Sequence, residues 1–185
     1  MPQTVEKGRL RKQLLEQRDG LSPDFIKIAS SRIQENLRKV LYYRNARTIA
    51  GYHAVGSEVR TRDILQEILN SGRELCLPRI EKNDIVFRKI SGFSDLEIGN
   101  FTVMEPKERC EVSENVDVIL VPAIALTRQG YRLGYGYGYY DRYLHKVQSK
   151  KIGLSYAKQL VKSIPLDNHD VKVDFIVTED EVIQT

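Results

Sequence analysis

The chain has 185 residues, 41% hydrophobic and 29% charged, with 29 Lys+Arg against 25 Asp+Glu for a net charge of +4. That length suits one domain with a sizeable core, the composition excludes a disordered chain, and no apolar run approaches a membrane span. The two cysteines, Cys76 and Cys110, lack metal-type spacing, the amino-terminal stretch has no signal-peptide apolar core, and a reducing cytoplasm is expected.

Residues 5–19 read as a helix with an apolar stripe at Leu10, Leu14 and Leu15, ended by Gly20. Lys7, Arg11 and Arg18 share one face of it, either as a solvated basic face or as a phosphate-binding face folded over a later loop. Ser22-Pro23-Asp24 opens a second helix, because serine caps, proline suits the first position and aspartate complements the dipole. Phe25, Ala29, Ile33, Leu37 and Leu41 are its expected buried stripe.

Residues 48–55 predict a strand, followed by a short loop carrying Glu58 and a helix capped near Thr61 and closed at Gly72. Strands are expected at 73–78 and 84–90, with an irregular stretch over 92–114. The run 116–126 is near-continuously apolar, the pattern of a central parallel strand buried on both faces. A glycine-rich loop follows, then a helix over 139–148 and strands at 151–155 and 171–177. Alternating strands and helices imply an α/β fold, a single domain whose ligands bind at the carboxyl ends of the strands. Glu58 and the loop at 134–138 both follow strands, so both should open on one rim.

The loop carries the chemistry. Gly134, Gly136 and Gly138 alternate with Tyr135, Tyr137 and Tyr139 ahead of a helix. Glycine lets a ligand reach the backbone, and free N–H groups at a helix start favour an anion. Arg132 and Arg142 flank the loop and can pair with phosphate oxygens, and Asp141 can hold a divalent cation beside them. The spacing is that of neither a P-loop nor a dinucleotide fingerprint.

Other polar positions carry two readings each. Glu58 is either a first-turn acid or an acceptor for a heterocycle on the rim, and His53 is a wall residue or a ring contact. Asp174 interrupts the last strand, as an edge carboxylate or a second metal anchor near Asp141. Tyr140 belongs to a buried stripe with Leu144 and Val147, whereas Tyr139 faces the loop and can stack on a flat ring.

The segment Arg132-Leu-Gly-Tyr-Gly-Tyr-Gly-Tyr-Tyr-Asp-Arg142 resembles the signature of the 5-formyltetrahydrofolate cyclo-ligase family, which carries a close version of RLGxGxGYYD after a strand ending in proline, here Val121-Pro122. The opening helix with Lys7 and Arg11, the Gly-Ser-Glu58 loop and Val171-Lys-Val-Asp174 stand in the expected order, so the resemblance spans nearly the whole chain. It implies a three-layer α/β sandwich with a mostly parallel, Rossmann-like sheet. It also implies a reaction in which 5-formyltetrahydrofolate, ATP and Mg²⁺ give 5,10-methenyltetrahydrofolate, ADP and phosphate.

Carried over by motif, Lys7, Arg11, Arg132, Leu133, Gly134, Tyr135, Gly136, Tyr137, Gly138, Tyr139 and Tyr140 would hold ATP. His53, Glu58, Tyr135, Gly136, Tyr137, Gly138 and Tyr139 would line the folate site, Asp141 and Asp174 would serve the magnesium, and Tyr139 and Arg132 would act catalytically. The implied protein is a cytoplasmic monomer working on small molecules, without nucleic-acid or membrane partners. Residue chemistry alone leaves two other classes open. One is a kinase for another small acceptor; the other is a nucleic-acid module stacking bases on Tyr135, Tyr137 and Tyr139.

Overall fold

The computed structural model describes residues 2–185. In chain order its elements are α1 (Pro2–Asp19), α2 (Pro23–Leu37), α3 (Leu41–Asn45), β1 (Thr48–Ala50), α4 (Arg62–Asn70), β2 (Glu74–Glu81), β3 (Asp84–Ile90), β4 (Leu96–Ile98) and β5 (Met104–Pro106). They continue with β6 (Val118–Pro122), β7 (Ala125–Thr127), β8 (Arg132–Leu133), α5 (Tyr139–Leu144), β9 (Lys150–Leu154), β10 (Leu160–Val161), β11 (Phe175–Val177) and β12 (Val182–Gln184).

Seven strands form one sheet in the order β12-β11-β9-β6-β1-β2-β3. The five inner strands run parallel, and β3 and β12 are antiparallel edges. Side chains alternate across a strand, so a sheet with apolar residues at successive positions needs cover on both faces. Ile49, Leu75, Leu77, Val118 and Leu120 pack under Ala29, Ile33 and Leu37 of α2 and Ile64 and Ile68 of α4. Their strand neighbours Ala50, Cys76, Ile119 and Val121 enter a second core with Phe87 and Leu144 of α5. The result is the expected three-layer sandwich, with a mostly parallel central sheet. Helix α1 stands apart, with Leu14 against Ile124, Ala125 and Leu133 of the small sheet β10-β7-β8.

The capping argument for α2 holds in detail, since the Ser22 hydroxyl accepts from Phe25 N–H at 3.2 Å. Five expectations need correction. Leu41 is 62% exposed, because α2 ends at Leu37 and Leu41 opens α3 instead of extending the stripe. The strand expected over 48–55 leaves the ladder after Gly51, whose N–H reaches the Cys76 carbonyl at 2.8 Å. Beyond it the Thr61 hydroxyl donates to the Tyr52 carbonyl at 2.6 Å and accepts from Ala54 N–H at 3.1 Å, fixing a loop instead. The apolar run over 116–126 is two strands, broken at Pro122, which has no N–H to continue the ladder. Past it the chain crosses into the small sheet, where Ile124 N–H bonds the Leu133 carbonyl at 2.8 Å.

The helix after the glycine loop stops at Leu144, and the last parallel strand keeps only Phe175–Val177 because Val173 N–H turns aside to the Gly130 carbonyl at 3.0 Å. Among the described residues no helix is long and apolar enough to cross a membrane.

Gly130 sits at φ 92°, and a Cβ there would lie 2.7 Å from the Val173 carbonyl oxygen, a backbone atom with little room to yield. Gly130→Ala is therefore expected to destabilise the fold by about 2 kcal/mol, whereas Gly8→Ala, with nothing within 4 Å of its Cβ, gains ~0.5 kcal/mol of helix propensity. Urea unfolding of the two variants beside the parent checks both signs.

Candidate active site

A cavity of about 560 Å³ opens at the carboxyl ends of β1 and β6. Tyr52, His53 and Glu58 come from the chain after β1, and Pro122 closes β6. Pro78, Ile80 and Ile85 supply an apolar wall from β2 and β3, extended by Val103 of the β4–β5 hairpin. Lys7 and Arg11 of α1 and the segment from Arg132 to Asp141 form the opposite, cationic side. Glu58 and the glycine loop share one rim, as their positions after strands predict.

The loop is held by arginines. Gly136 and Gly138 take φ values of 101° and 69°, the left-handed region that favours glycine. A Cβ at Gly134 would fall 2.5 Å from Arg132 Nη1, one at Gly136 3.2 Å from the Arg11 guanidinium carbon, and one at Gly138 2.9 Å from Arg142 Nη1. Arg11 Nε donates to the Gly134 carbonyl at 2.7 Å, so α1 does fold over the loop. Arg142 donates to the Tyr137 carbonyl at 3.0 Å and the Asn83 carbonyl at 2.9 Å, tying the loop to the β2–β3 turn, and it does not line the cavity.

Arg18, the third residue of the basic face, is 4% exposed and reaches inward. It donates to the Tyr135 hydroxyl at 2.8 Å, which donates in turn to Glu58 Oε1 at 2.7 Å. Arg18 Nε also binds Ser57 Oγ at 2.9 Å, and that hydroxyl donates to Asp19. Glu58 Oε2 accepts from Val55 N–H at 2.9 Å. Burial nevertheless pushes the Glu58 carboxyl above its ordinary value, against the opposing pull of these donors and of Arg18. Burial, reinforced by the charge of Glu58, pushes the Tyr135 phenol up to about 12. His53 lines the wall with its Nδ1 buried and without a hydrogen-bond partner, and burial and then Arg62 hold it below the ordinary histidine value, in the neutral form.

Arg132, 8% exposed, pairs with Asp141 Oδ1 at 2.8 Å and lies over the Tyr140 ring at 5.6 Å. The Tyr140 hydroxyl and Arg132 Nε are buried with no hydrogen-bond partner. Tyr139 stacks on Tyr137 with ring centroids 5.8 Å apart.

Among the described residues no group of three or more His, Cys, Asp or Glu side chains is arranged to hold a metal. Of the two carboxylates expected to hold a metal, Asp141 stands at the cavity wall, which suits a magnesium ion that takes one or two carboxylates and completes its shell with phosphate oxygens and water. Asp174 does not join it. It precedes β11 at the amino end of the parallel strands, accepting from Lys151 N–H at 2.8 Å and pairing with Lys150 at 3.3 Å. Its carboxylate finds its partners on the neighbouring strand β9 and not at a metal beside Asp141, and the strand it precedes is an inner one and not the expected edge.

Several cavity residues carry no mark in the local sequence pattern. Asp167 and Asp170 each bind Lys7 Nζ at 2.7 Å, across 160 and 163 positions of sequence. Glu105, 4% exposed, lines the hairpin side, where a Cβ at Gly99 would collide with its carboxylate. Burial raises its pKa. Asp-Asn-His-Asp reads as a turn and Glu105 as an edge-strand acid, so only spatial neighbours mark them.

The model of the 5-formyltetrahydrofolate cyclo-ligase family matches residues 3–179. A 5-formyltetrahydrofolate cyclo-ligase of Saccharomyces cerevisiae is 31% identical, over 94% of this chain and 95% of its own. One of Mycoplasma pneumoniae is 32% identical over 95% and 100%. The solved 5,10-methenyltetrahydrofolate synthetase of Aquifex aeolicus superposes with a TM-score of 0.88 at 36% identity, covering 96% of this chain and 92% of the other. The Mycoplasma pneumoniae synthetase structure gives 0.76 at 26% identity, covering 94% and 98%. A match along almost the full sequence, joined to the same fold, makes this chain a member of the 5-formyltetrahydrofolate cyclo-ligase family of enzymes.

Proposed function

We propose that the chain, acting as one catalytic domain over residues 1–185, uses ATP and Mg²⁺ to convert 5-formyltetrahydrofolate into 5,10-methenyltetrahydrofolate, ADP and phosphate. The observation that carries this reading is the two-sided cavity: guanidinium and ammonium groups of Arg132, Arg11 and Lys7 face an apolar wall of Pro78, Ile80 and Ile85 in one space. A phosphate chain suits the first side and a flat reduced pterin the second, which brings the γ-phosphorus and a formyl group together.

A formamide oxygen leaves poorly as hydroxide. Its attack on the γ-phosphorus, with departure of ADP, turns it into a phosphate ester. Attack of N10 on the formyl carbon then closes the five-membered ring, phosphate takes the C–O bonding pair, and the N10 proton is lost. Such a reaction asks the protein for position and charge.

Arg132 neutralises the transferring group, and Lys7, Arg11 and the backbone N–H groups from Leu133 to Tyr140 hold the phosphates. Glu58 and His53 meet the folate ring, and Tyr135 to Tyr139 stand where the two ligands adjoin, with Tyr139 against the reacting groups. Asp141 would hold the metal, which supplies further charge neutralisation. Cys76 and Cys110 are unpaired, consistent with a cytoplasmic enzyme, and we read it as a monomer without nucleic-acid or membrane partners.

Arg132→Lys keeps the charge and the partner of Asp141 but loses the planar fork, so kcat should fall about tenfold or more while the thermal transition moves little. Absorbance at the methenyl-folate band measures the rate; an unchanged kcat would remove Arg132 from the reaction.

Glu58→Gln should raise KM for the folate about tenfold with a smaller change for ATP, as expected for losing one charge-assisted hydrogen bond. The same variant has a stability signature. Because the folded carboxyl binds its proton more readily than the unfolded one, its ionisation weakens the fold progressively as pH rises through the unfolded and then the folded pKa. The Gln variant escapes that loss, so its Tm relative to the parent should improve between about pH 4 and about pH 7.5. Paired melts at the two pH values measure the change.

A further inference from the structure

Lys7 and Arg11 of α1 meet the cavity, whereas Arg18, in the last turn of the same helix, does not line it. Arg18 is nevertheless 4% exposed. A guanidinium is costly to bury unless its N–H groups are matched, and here they are spread over three partners. Nε donates to Ser57 Oγ at 2.9 Å, Nη2 donates to the Tyr135 hydroxyl at 2.8 Å, and Nη1 lies 3.5 Å from the Ala123 carbonyl oxygen.

The Tyr135 hydroxyl has a single proton, and arginine can only donate. The bond from Arg18 therefore takes an oxygen lone pair and commits the phenolic proton to Glu58 Oε1, 2.7 Å away. The other carboxylate oxygen accepts from Val55 N–H at 2.9 Å. A carboxylate has about four acceptor sites, so each oxygen keeps one for a donor in the cavity, which Glu58 lines. The backbone of Glu58 is secured independently of Arg18. Its N–H donates to the Val55 carbonyl at 3.1 Å, and its carbonyl accepts from the Tyr156 hydroxyl at 3.0 Å. What Arg18 governs is the carboxylate end.

We propose that Arg18 is a positioning residue for the ring end of the cavity, orienting the Glu58 carboxylate through Tyr135 and so fixing how the folate ring is held. The inference rests on the cyclo-ligase reading, in which Glu58 meets that ring. Burial pushes the Glu58 carboxyl up, and the charge of the guanidinium opposes that push. In this reading one helix serves both ends of the cavity, with Lys7 and Arg11 at the phosphates and Arg18 behind the ring.

The test is steady-state kinetics of the full chain with Arg18→Met, Arg18→Lys, Glu58→Gln and the double variant Arg18→Met/Glu58→Gln. Methionine keeps an unbranched stem in the packing and removes the charge and the donors. Arg18→Met should raise KM for the folate about fivefold, the weight of one hydrogen bond, with kcat and the ATP KM within about twofold. Arg18→Lys keeps the charge on a single donor centre and should recover part of that loss. In the Glu58→Gln background Arg18→Met should add less than about twofold, because its effect is carried by the carboxylate.

A merely structural arginine gives a different pattern. If Arg18 only anchors the end of α1, its loss loosens Lys7 and Arg11 and raises the ATP KM at least as much as the folate KM, and that result overturns the proposal. So does an unchanged folate KM in Arg18→Met, or a double variant as impaired as the product of its singles, since the arginine then acts by another route. Should Arg18→Met fail to fold, Arg18→Lys, alone and combined with Glu58→Gln, carries the same comparison. If Glu58→Gln leaves the folate KM untouched, the ring role of Glu58 falls and the proposal with it, whereas failure of Arg18 alone leaves that role standing.

Discussion

Three guanidinium groups occupy the space where side chains on three glycines would stand. Arg132 fills the position beside Gly134, Arg11 that beside Gly136 and Arg142 that beside Gly138. A Cβ at any of the three would press on a guanidinium, and at Gly136 and Gly138 it would also meet a left-handed backbone that favours glycine. The rest of the site hangs on this interlock. Arg11 brings α1 across the loop, Arg142 ties the loop to the β2–β3 turn, and Arg132 orients Asp141 at the start of α5. The tyrosines between the glycines then have defined places, with Tyr135 between Arg18 and Glu58 and Tyr137 against Tyr139.

The cavity separates its charges by burial. On the glycine-loop side the acids are paired to bases, Asp141 to Arg132 and Asp167 and Asp170 to Lys7. Glu58 and Glu105 are instead buried where desolvation raises their pKa values. A carboxylate kept in such surroundings costs stability and is retained where a ligand can use it as an acceptor. The Arg18–Tyr135–Glu58 chain connects the two regions through hydrogen bonds of 2.8 and 2.7 Å.

Much of the layout was legible because it follows from period and punctuation. Alternating strands and helices, the apolar run through Ile119 and Leu120, and the cap at Ser22 each carry a local cause that survives folding. Glu58 and the loop at Gly134–Gly138 could be placed on one rim because both follow parallel strands. What was misread lies where a local pattern meets a long-range bond. Pro122 divides an apolar stretch that periodicity alone runs together, and Asp174, a carboxylate with no local partner, finds Lys150 and Lys151 on the neighbouring strand. Short strands such as β8 and β10 have no period to show and exist only through their pairing with β7.

The sequence by itself determined the class of the fold, the residue types at the rim and the family, because helix period, strand alternation and the glycine–tyrosine signature are properties of neighbours along the chain. Only the tertiary structure decided which charges are free and which are spent. Lys7 faces two aspartates more than 150 positions away, Arg142 serves the loop rather than the cavity, Arg18 turns inward to Tyr135, and Asp141 stands without Asp174. The reason is physical: a charge is assigned by what lies within about 4 Å of it, and closeness across layers is set by packing, which no local pattern encodes.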